Sequence, residues 1–153
     1  MEELENEVID DKQFIVIKLG EEQYGIDISN VDNIVRLPKI TRVPKSKEYY
    51  VGVMNLRGEV VPIMSLRRRF GLEKDEYTAA TRIIIIRMED QSLIGFLFDE
   101  VNEVVSLEQG QIEKPTFKLD ESNATYLAGI GLKGDGLISL LDIASIVDES
   151  VDE

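Results

Sequence analysis

Gly25-Ile-Asp-Ile-Ser-Asn-Val-Asp-Asn-Ile-Val35 and Gly95-Phe-Leu-Phe-Asp-Glu-Val-Asn-Glu-Val-Val105 align without a gap, apolar residue on apolar residue, at a spacing of 70 from Gly25 to Gly95. Farther along, Gly52-Val53 matches Gly129-Ile130, and Val60-Val61-Pro62-Ile63-Met64 matches Leu137-Ile138-Ser139-Leu140-Leu141, now at a spacing of 77 from Gly52 to Gly129. The extra residues fall as an insertion around 110–124. A chain that repeats itself once is built from two similar units, and this duplication constrains the fold more than any short motif does.

Each half opens with two strand signals around a polar turn, at 14–19 and 24–28 in the first half and at 83–88 and 93–98 in the second. The runs are short and rich in β-branched and aromatic residues. The continuous run Ile83–Ile86 predicts a strand buried on both faces. Helical turns are expected next, with Ser29 capping Val31, Ile34 and Val35, and Asp99 capping Val101, Val104 and Val105. A second hairpin follows in each half, turning at Arg57-Gly58-Glu59 and at Lys133-Gly134-Asp135-Gly136. Pro62 places its strand at an edge or a bulge. Short helices close the halves, Leu66–Phe70 capped by Ser65 and Ile143–Val147 capped by Asp142. Such a pattern fits a small barrel of four or five strands in each half.

Composition excludes several chemistries. The 153 residues include no His and no Cys, so imidazole or thiolate catalysis, zinc sites of those ligands and a disulfide framework drop out. The start of the chain lacks a signal-peptide pattern and no apolar run is long enough to span a membrane, which points to the cytoplasm. The formal charge is −13. Ten of the acids lie in residues 2–11 and 148–153, read as solvated tails. Residues 36–69 hold nine bases against Glu48 and Glu59, whereas 99–123 are acidic, so docking to proteins of complementary potential is expected. Gly129-Ile130-Gly131-Leu132-Lys133-Gly134 matches a dinucleotide fingerprint but runs into a turn and a strand, so it reads as a hairpin. Asn123-Ala124-Thr125 reads as a loop. No converging carboxylate pair or calcium loop is visible, and no catalytic, cofactor-binding or metal-ligating residue is assigned.

Tyr49-Tyr50-Val51-Gly52-Val53-Met54-Asn55-Leu56-Arg57-Gly58-Glu59-Val60-Val61-Pro62-Ile63, preceded by Val43-Pro44, resembles the CheW family of bacterial chemotaxis coupling proteins. That family's pattern runs from a V-P element through Y-V-x-G-V-x-N-L-R-G to V-x-P-I. The likeness extends over about residues 13–148, including Leu19–Ile28 and Tyr126–Gly129. It implies an all-β fold of two intertwined SH3-like five-stranded β-barrels with short helices. The expected organisation is an acidic tail at 1–12, a CheW-like domain at 13–150 and an acidic tail at 151–153. Within the domain the barrel halves fall at about 13–78 and 79–150, with exchange of segments between them left open.

The resemblance implies a non-enzymatic signalling adaptor. It would couple the regulatory domain of the histidine kinase CheA to the cytoplasmic tips of methyl-accepting chemotaxis proteins, supporting receptor control of autophosphorylation and array assembly. Its place would be the cytoplasm, at membrane-associated receptor arrays, without membrane insertion, nucleic acid or cofactor. Partner-binding residues carried over are Val31, Asn33, Val35 and Arg36, together with Asn55, Leu56, Arg57 and Gly58. Asn33 stands where the family often has a glutamate suited to pairing with the signature arginine, so the expected Arg57–Asn33 link is a weaker, neutral hydrogen bond. Asn55 and Arg57 could equally fix the hairpin, and Val31, Val35 and Leu37 could equally be core. Arg67-Arg68-Arg69 reads as exposed helix decoration. The alternative is a small β-barrel that binds nucleic acid through the basic 36–69 region, disfavoured by the net charge and the lack of stacking aromatics.

Overall fold

The computed structural model describes residues 11–73, 75–114, 126–134 and 136–148. All but one residue of each terminal acidic tract, most of the insertion, Asn123-Ala124-Thr125 and Asp135 lie outside those residues. The elements are β1 (Lys12–Leu19), β2 (Glu22–Asp27), β3 (Val31–Arg36), β4 (Tyr50–Leu56), β5 (Glu59–Ser65), α1 (Leu66–Arg69), β6 (Arg82–Arg87), β7 (Leu93–Phe98), β8 (Glu100–Leu107), β9 (Ile112–Glu113), β10 (Leu127–Lys133), β11 (Gly136–Leu141) and α2 (Ile143–Val147). Single 3-10 turns lie at Ile28–Asn30 and Gln109–Gln111. The fold is all-β, with two SH3-like barrels.

Two sheets hold these strands, in the orders β3-β6-β7-β5-β4 and β8-β1-β2-β11-β10-β9. They are the same sheet made twice. The parallel pair Ile63 opposite Gly95 in the first matches Leu140 opposite Gly25 in the second. Bulges fall at corresponding sites, between Tyr50 and Gly52 on β4 and between Leu127 and Gly129 on β10. Even the Thr41–Val53 bridge has its counterpart in Glu113 opposite Ile130. In each sheet, however, the hairpin comes from the other half of the sequence: β1–β2 lies beside β11, and β6–β7 lies beside β5. The compact units are accordingly discontinuous. One contains Asn30–Val101 with Lys18–Glu22, and the other gathers Gln23–Ser29 with the described chain up to Ile17 and from Asn102 onward.

Burial drives the strands. Ile83, Ile84, Ile85 and Ile86 are all fully buried on β6, which lies between β3 and β7. Burying each such side chain stabilises by about 1.5–3 kcal/mol. In the Asn30–Val101 unit Met54, Val61, Ile63, Ile83, Ile85, Leu93 and Leu97 form one cluster. In the other unit Phe14, Val16, Val105, Leu107, Ile138 and Leu140 form another. Glycines permit the close approach of strands: a Cβ on Gly95 would lie 2.7 Å from Ile63 Cδ1, and one on Gly25 2.8 Å from Leu140 Cδ2.

The helical turns expected at 31–35 and 101–105 are strands β3 and β8. Ser29 caps nothing there; its N–H and Oγ both donate to Asp27 Oδ1, at 2.9 and 2.8 Å. The misleading periodicity on β3 comes from a bulge. Val31 lies opposite Ile86 and Asn33 opposite Ile85, so Asp32 is the extra residue. Past it the alternation resets, placing Val31 and Ile34 on the face of Ile84 and Ile86, and Val35 on the face of Ile83 and Ile85. A strand with one inserted residue thus imitates i, i+3, i+4.

The two closing helices form as expected. Ser65 Oγ accepts from the Arg68 N–H and Asp142 Oδ1 from the Ser145 N–H. Pro62 causes no loss to its ladder: the opposing Val53 spends its own N–H and carbonyl on Thr41, at 2.8 Å each, and the β5–β7 pairing starts only at Ile63.

Candidate functional site

The β4–β5 hairpin turns through two residues, with Leu56 opposite Glu59. Arg57 and Gly58 both have positive φ, 50° and 87°, as a two-residue turn matching the twist of its strands requires. Asn55 Oδ1 accepts from the Gly58 N–H at 3.1 Å, so Asn55 fixes the turn. Asn55→Ala should cost about 1 kcal/mol in thermal or urea unfolding. Arg57 is a costlier choice at its position: a side chain in the left-handed region loses roughly 1–2 kcal/mol against glycine or asparagine.

Sheet curvature brings this tip to β3, although β3 and β4 are opposite ends of the strand order. Arg57 Nη2 donates to Asp32 Oδ2 at 2.9 Å, and Arg87 Nη2 donates to Asp32 Oδ1 at 3.0 Å. Arg87 Nη1 is in turn fixed on the Gln91 carbonyl at 3.2 Å. The Arg87 hydrogen bond, then that of Arg57, holds the Asp32 carboxyl below its ordinary value. The pair is therefore formed throughout the neutral range and is lost as pH falls below the ordinary carboxylate range. The expected partner of Arg57 was Asn33. Instead Asn33 Oδ1 accepts from its neighbour's N–H, on Ile34 at 2.8 Å, and the bulge presents Asp32 in its place. A charged acceptor thus replaces the neutral one, giving the stronger class of hydrogen bond.

The remaining carried-over residues separate by burial. Val35 and Leu56 pack against the Met54–Leu97 cluster, and Val31 is half-buried. Asn33, Arg36, Asn55, Arg57 and Gly58 are exposed, with the Arg57 side chain 65% accessible. Arg36 lies directly opposite Arg82 across the ladder. Beside the hairpin tip Val60 is 69% exposed, and its repeat counterpart Leu137 is 60% exposed.

The arginine run is not surface decoration. Arg67 binds Asp99 through Nε at 2.8 Å and Nη2 at 2.5 Å, with the Arg67 side chain only 16% exposed. Arg68 Nε meets Asp75 Oδ2 at 3.3 Å, and Asp75 also accepts from Ser65 Oγ at 2.8 Å. Arg69 is buried with its guanidinium 4.3 Å from the centre of the Tyr49 ring. A helix of four residues has no room for a wholly solvated face, so its cations are drawn onto neighbouring acids and rings. The ion pairs of Asp32, Arg87 and Asp99 were missed from sequence: these residues lie at strand bulges or ends, where local periodicity says nothing about partners 25 to 55 residues away. Gly129–Gly134 form strand β10 and its turn, as the hairpin reading of that motif required.

Two SH3-like barrels, one with an arginine-tipped hairpin paired with a bulged edge strand, define a duplicated all-β module. The chain belongs to the CheW family: the family model described as CheW-like domain matches residues 13–151. It is 39% identical over 136 residues to the chemotaxis protein CheW of Helicobacter pylori, covering 88% of this chain and 81% of that protein. It is 32% identical to CheW of Bacillus subtilis, covering 90% and 88% respectively. The scaffolding protein TtCheW of Thermoanaerobacter tengcongensis superposes with a TM-score of 0.81 at 31% identity, over 90% of this chain and 92% of that one. Among the described residues no helix is long and apolar enough to cross a membrane.

Proposed function

We propose that this scaffold couples the histidine kinase CheA to the cytoplasmic tips of methyl-accepting chemoreceptors, acting by contact and without catalysis. The observation that supports this reading best is the duplication of an exposed apolar residue at each second hairpin, Val60 and Leu137, on two sheets that share a five-strand order. Paired, similar faces suit a component that bridges two neighbours, and repeated head-to-tail contacts of that sort generate rings and arrays. Exposed aliphatic side chains supply the contact area, and the surrounding charge sets which partner is accepted. Arg57 is the exposed polar contact of one face, and Asp32 aims it.

Reconstitution tests the reading: the protein should raise receptor-dependent autophosphorylation of CheA and retain the CheA regulatory domain at low salt. Absence of both sinks it. Arg57→Asn separates contact from folding, because asparagine suits the left-handed turn. The variant should unfold at the same temperature as the parent or slightly above it, while partner binding weakens at least ~tenfold. Loss of stability with unchanged binding would assign Arg57 to the hairpin alone. Asp32→Ala should weaken the same contact less than Arg57→Asn does, because it frees the guanidinium without removing it.

A further inference from the structure

Between β3 and β4 the chain from Leu37 to Tyr49 forms no strand, yet it is pinned. Thr41 and Val53 exchange backbone hydrogen bonds at 2.8 Å, Ser46 Oγ donates to the Val43 carbonyl at 2.9 Å, and the Tyr50 N–H to the Lys47 carbonyl at 3.0 Å. This connection borders a groove of about 420 Å³. Arg42, Lys45, Lys47 and Arg68 line it, with Val43 and Pro44 as an apolar wall. The one acid on its lining is Glu48. Arg68 is engaged with Asp75 and with the Glu48 carbonyl, at 3.3 and 3.2 Å. Among the described residues Arg42, Lys45 and Lys47 have no ion pair.

Three cations without ion pairs, against the one acid Glu48, give this concave, partly apolar surface an excess of positive charge that favours an anionic ligand. This happens on a chain whose formal charge is −13. We propose that the groove is a docking site for an acidic segment of a partner protein, with carboxylates on Arg42, Lys45 and Lys47 and an aliphatic anchor against Val43 and Pro44. A polypeptide fits better than nucleic acid because the lining lacks a stacking platform. The single aromatic lining residue, Tyr50, already has its ring 5.1 Å from that of Tyr49, which leaves no series of faces on which bases stack. The site goes beyond the kinase–receptor reading and does not rest on it. The groove takes the first residues of β4 and the arginine hairpin the last, about 20 Å apart along a seven-residue strand.

The test is fluorescence anisotropy of the full chain with a labelled synthetic peptide in which glutamates alternate with leucines. Saturable binding is expected, falling steeply with added salt. It should weaken at least ~tenfold in the triple variant Arg42→Glu, Lys45→Glu, Lys47→Glu and stay within about twofold of the parent in Arg57→Asn. Replacing the peptide's leucines with serines should weaken it about threefold or more. Equal binding by parent and triple variant overturns the proposal. So does tighter binding of a labelled single-stranded oligonucleotide with the same dependence on the three cations, which would make the groove a nucleic-acid site. All three side chains are exposed, so the variant should fold. If it does not, Lys45→Ala with Lys47→Ala should show about a threefold loss, and no loss there counts equally against the site. Failure of kinase stimulation leaves this result untouched, because the peptide assay contains neither kinase nor receptor.

Discussion

Gly52→Ala is expected to destabilise the chain by about 3–4 kcal/mol, lowering the unfolding temperature by roughly 10 °C. Gly52 forms the bulge of β4 at φ +154°, and a Cβ built there falls well inside contact distance of the Thr41 carbonyl and 2.8 Å from Ile40 Cγ2. The obstacle is backbone, held by the two Thr41–Val53 hydrogen bonds, so relief requires breaking that bridge. Gly58→Ala serves as the control. Gly58 also has positive φ, +87°, but a Cβ there meets nothing within 4 Å. It should cost only the conformational penalty, about 1–2 kcal/mol. Gly129, the repeat counterpart of Gly52, has the Glu113 carbonyl 3.1 Å from its Cβ position, a contact that a small shift relieves, so Gly129→Ala should fall between the two. Thermal unfolding of the three variants measures the order, and equal costs would refute the backbone clash at Gly52.

Asp99→Asn should cost about 2–3 kcal/mol, below the full value for breaking a buried pair because both side chains keep some solvent contact. Asp99 receives Arg67 through two nitrogens and also accepts from the Gly20 N–H at 2.7 Å. Partial burial alone would raise its carboxyl, but the Arg67 and Gly20 hydrogen bonds outweigh burial and hold it below its ordinary value. A depressed carboxylate contributes stability that is present above the unfolded value, near pH 3.9, and is lost as pH falls through the folded one. The stability difference between parent and Asp99→Asn should therefore be constant from pH 5 to 8 and close below about pH 4. A gap that persists unchanged into acid would assign the loss to packing instead of charge.

The hairpin tip was largely legible in sequence, and its electrostatics were not. Asn55-Leu56-Arg57-Gly58 states its own turn chemistry, because a two-residue loop needs positive φ and an acceptor for the glycine N–H. Asn33 misled because numbering along β3 hides the bulge: one inserted residue moves the carboxylate of Asp32 into the position expected for its neighbour. The arginines of α1 misled for the opposite reason. A charge run looks the same whether solvated or paired, and only the chain path brings Asp99 to Arg67 and the Tyr49 ring to Arg69. Val35 and Leu56 illustrate a third case, in which motif membership and core membership coincide and burial decides between them.

By itself the sequence determined the duplication, the run of short strands, the caps of the two closing helices and the chemistry forbidden to a chain without His or Cys, since each follows from local pattern or composition. Tertiary structure alone decided that each barrel takes its first hairpin from the other half of the chain, and that Asp32 rather than Asn33 holds Arg57. The physical reason is the same in both cases. Backbone pairing and charge pairing depend on distance in space, and residues related by a repeat are equally good partners for either copy until the short connections at Ile28–Asn30 and Asp99 commit each strand to one sheet.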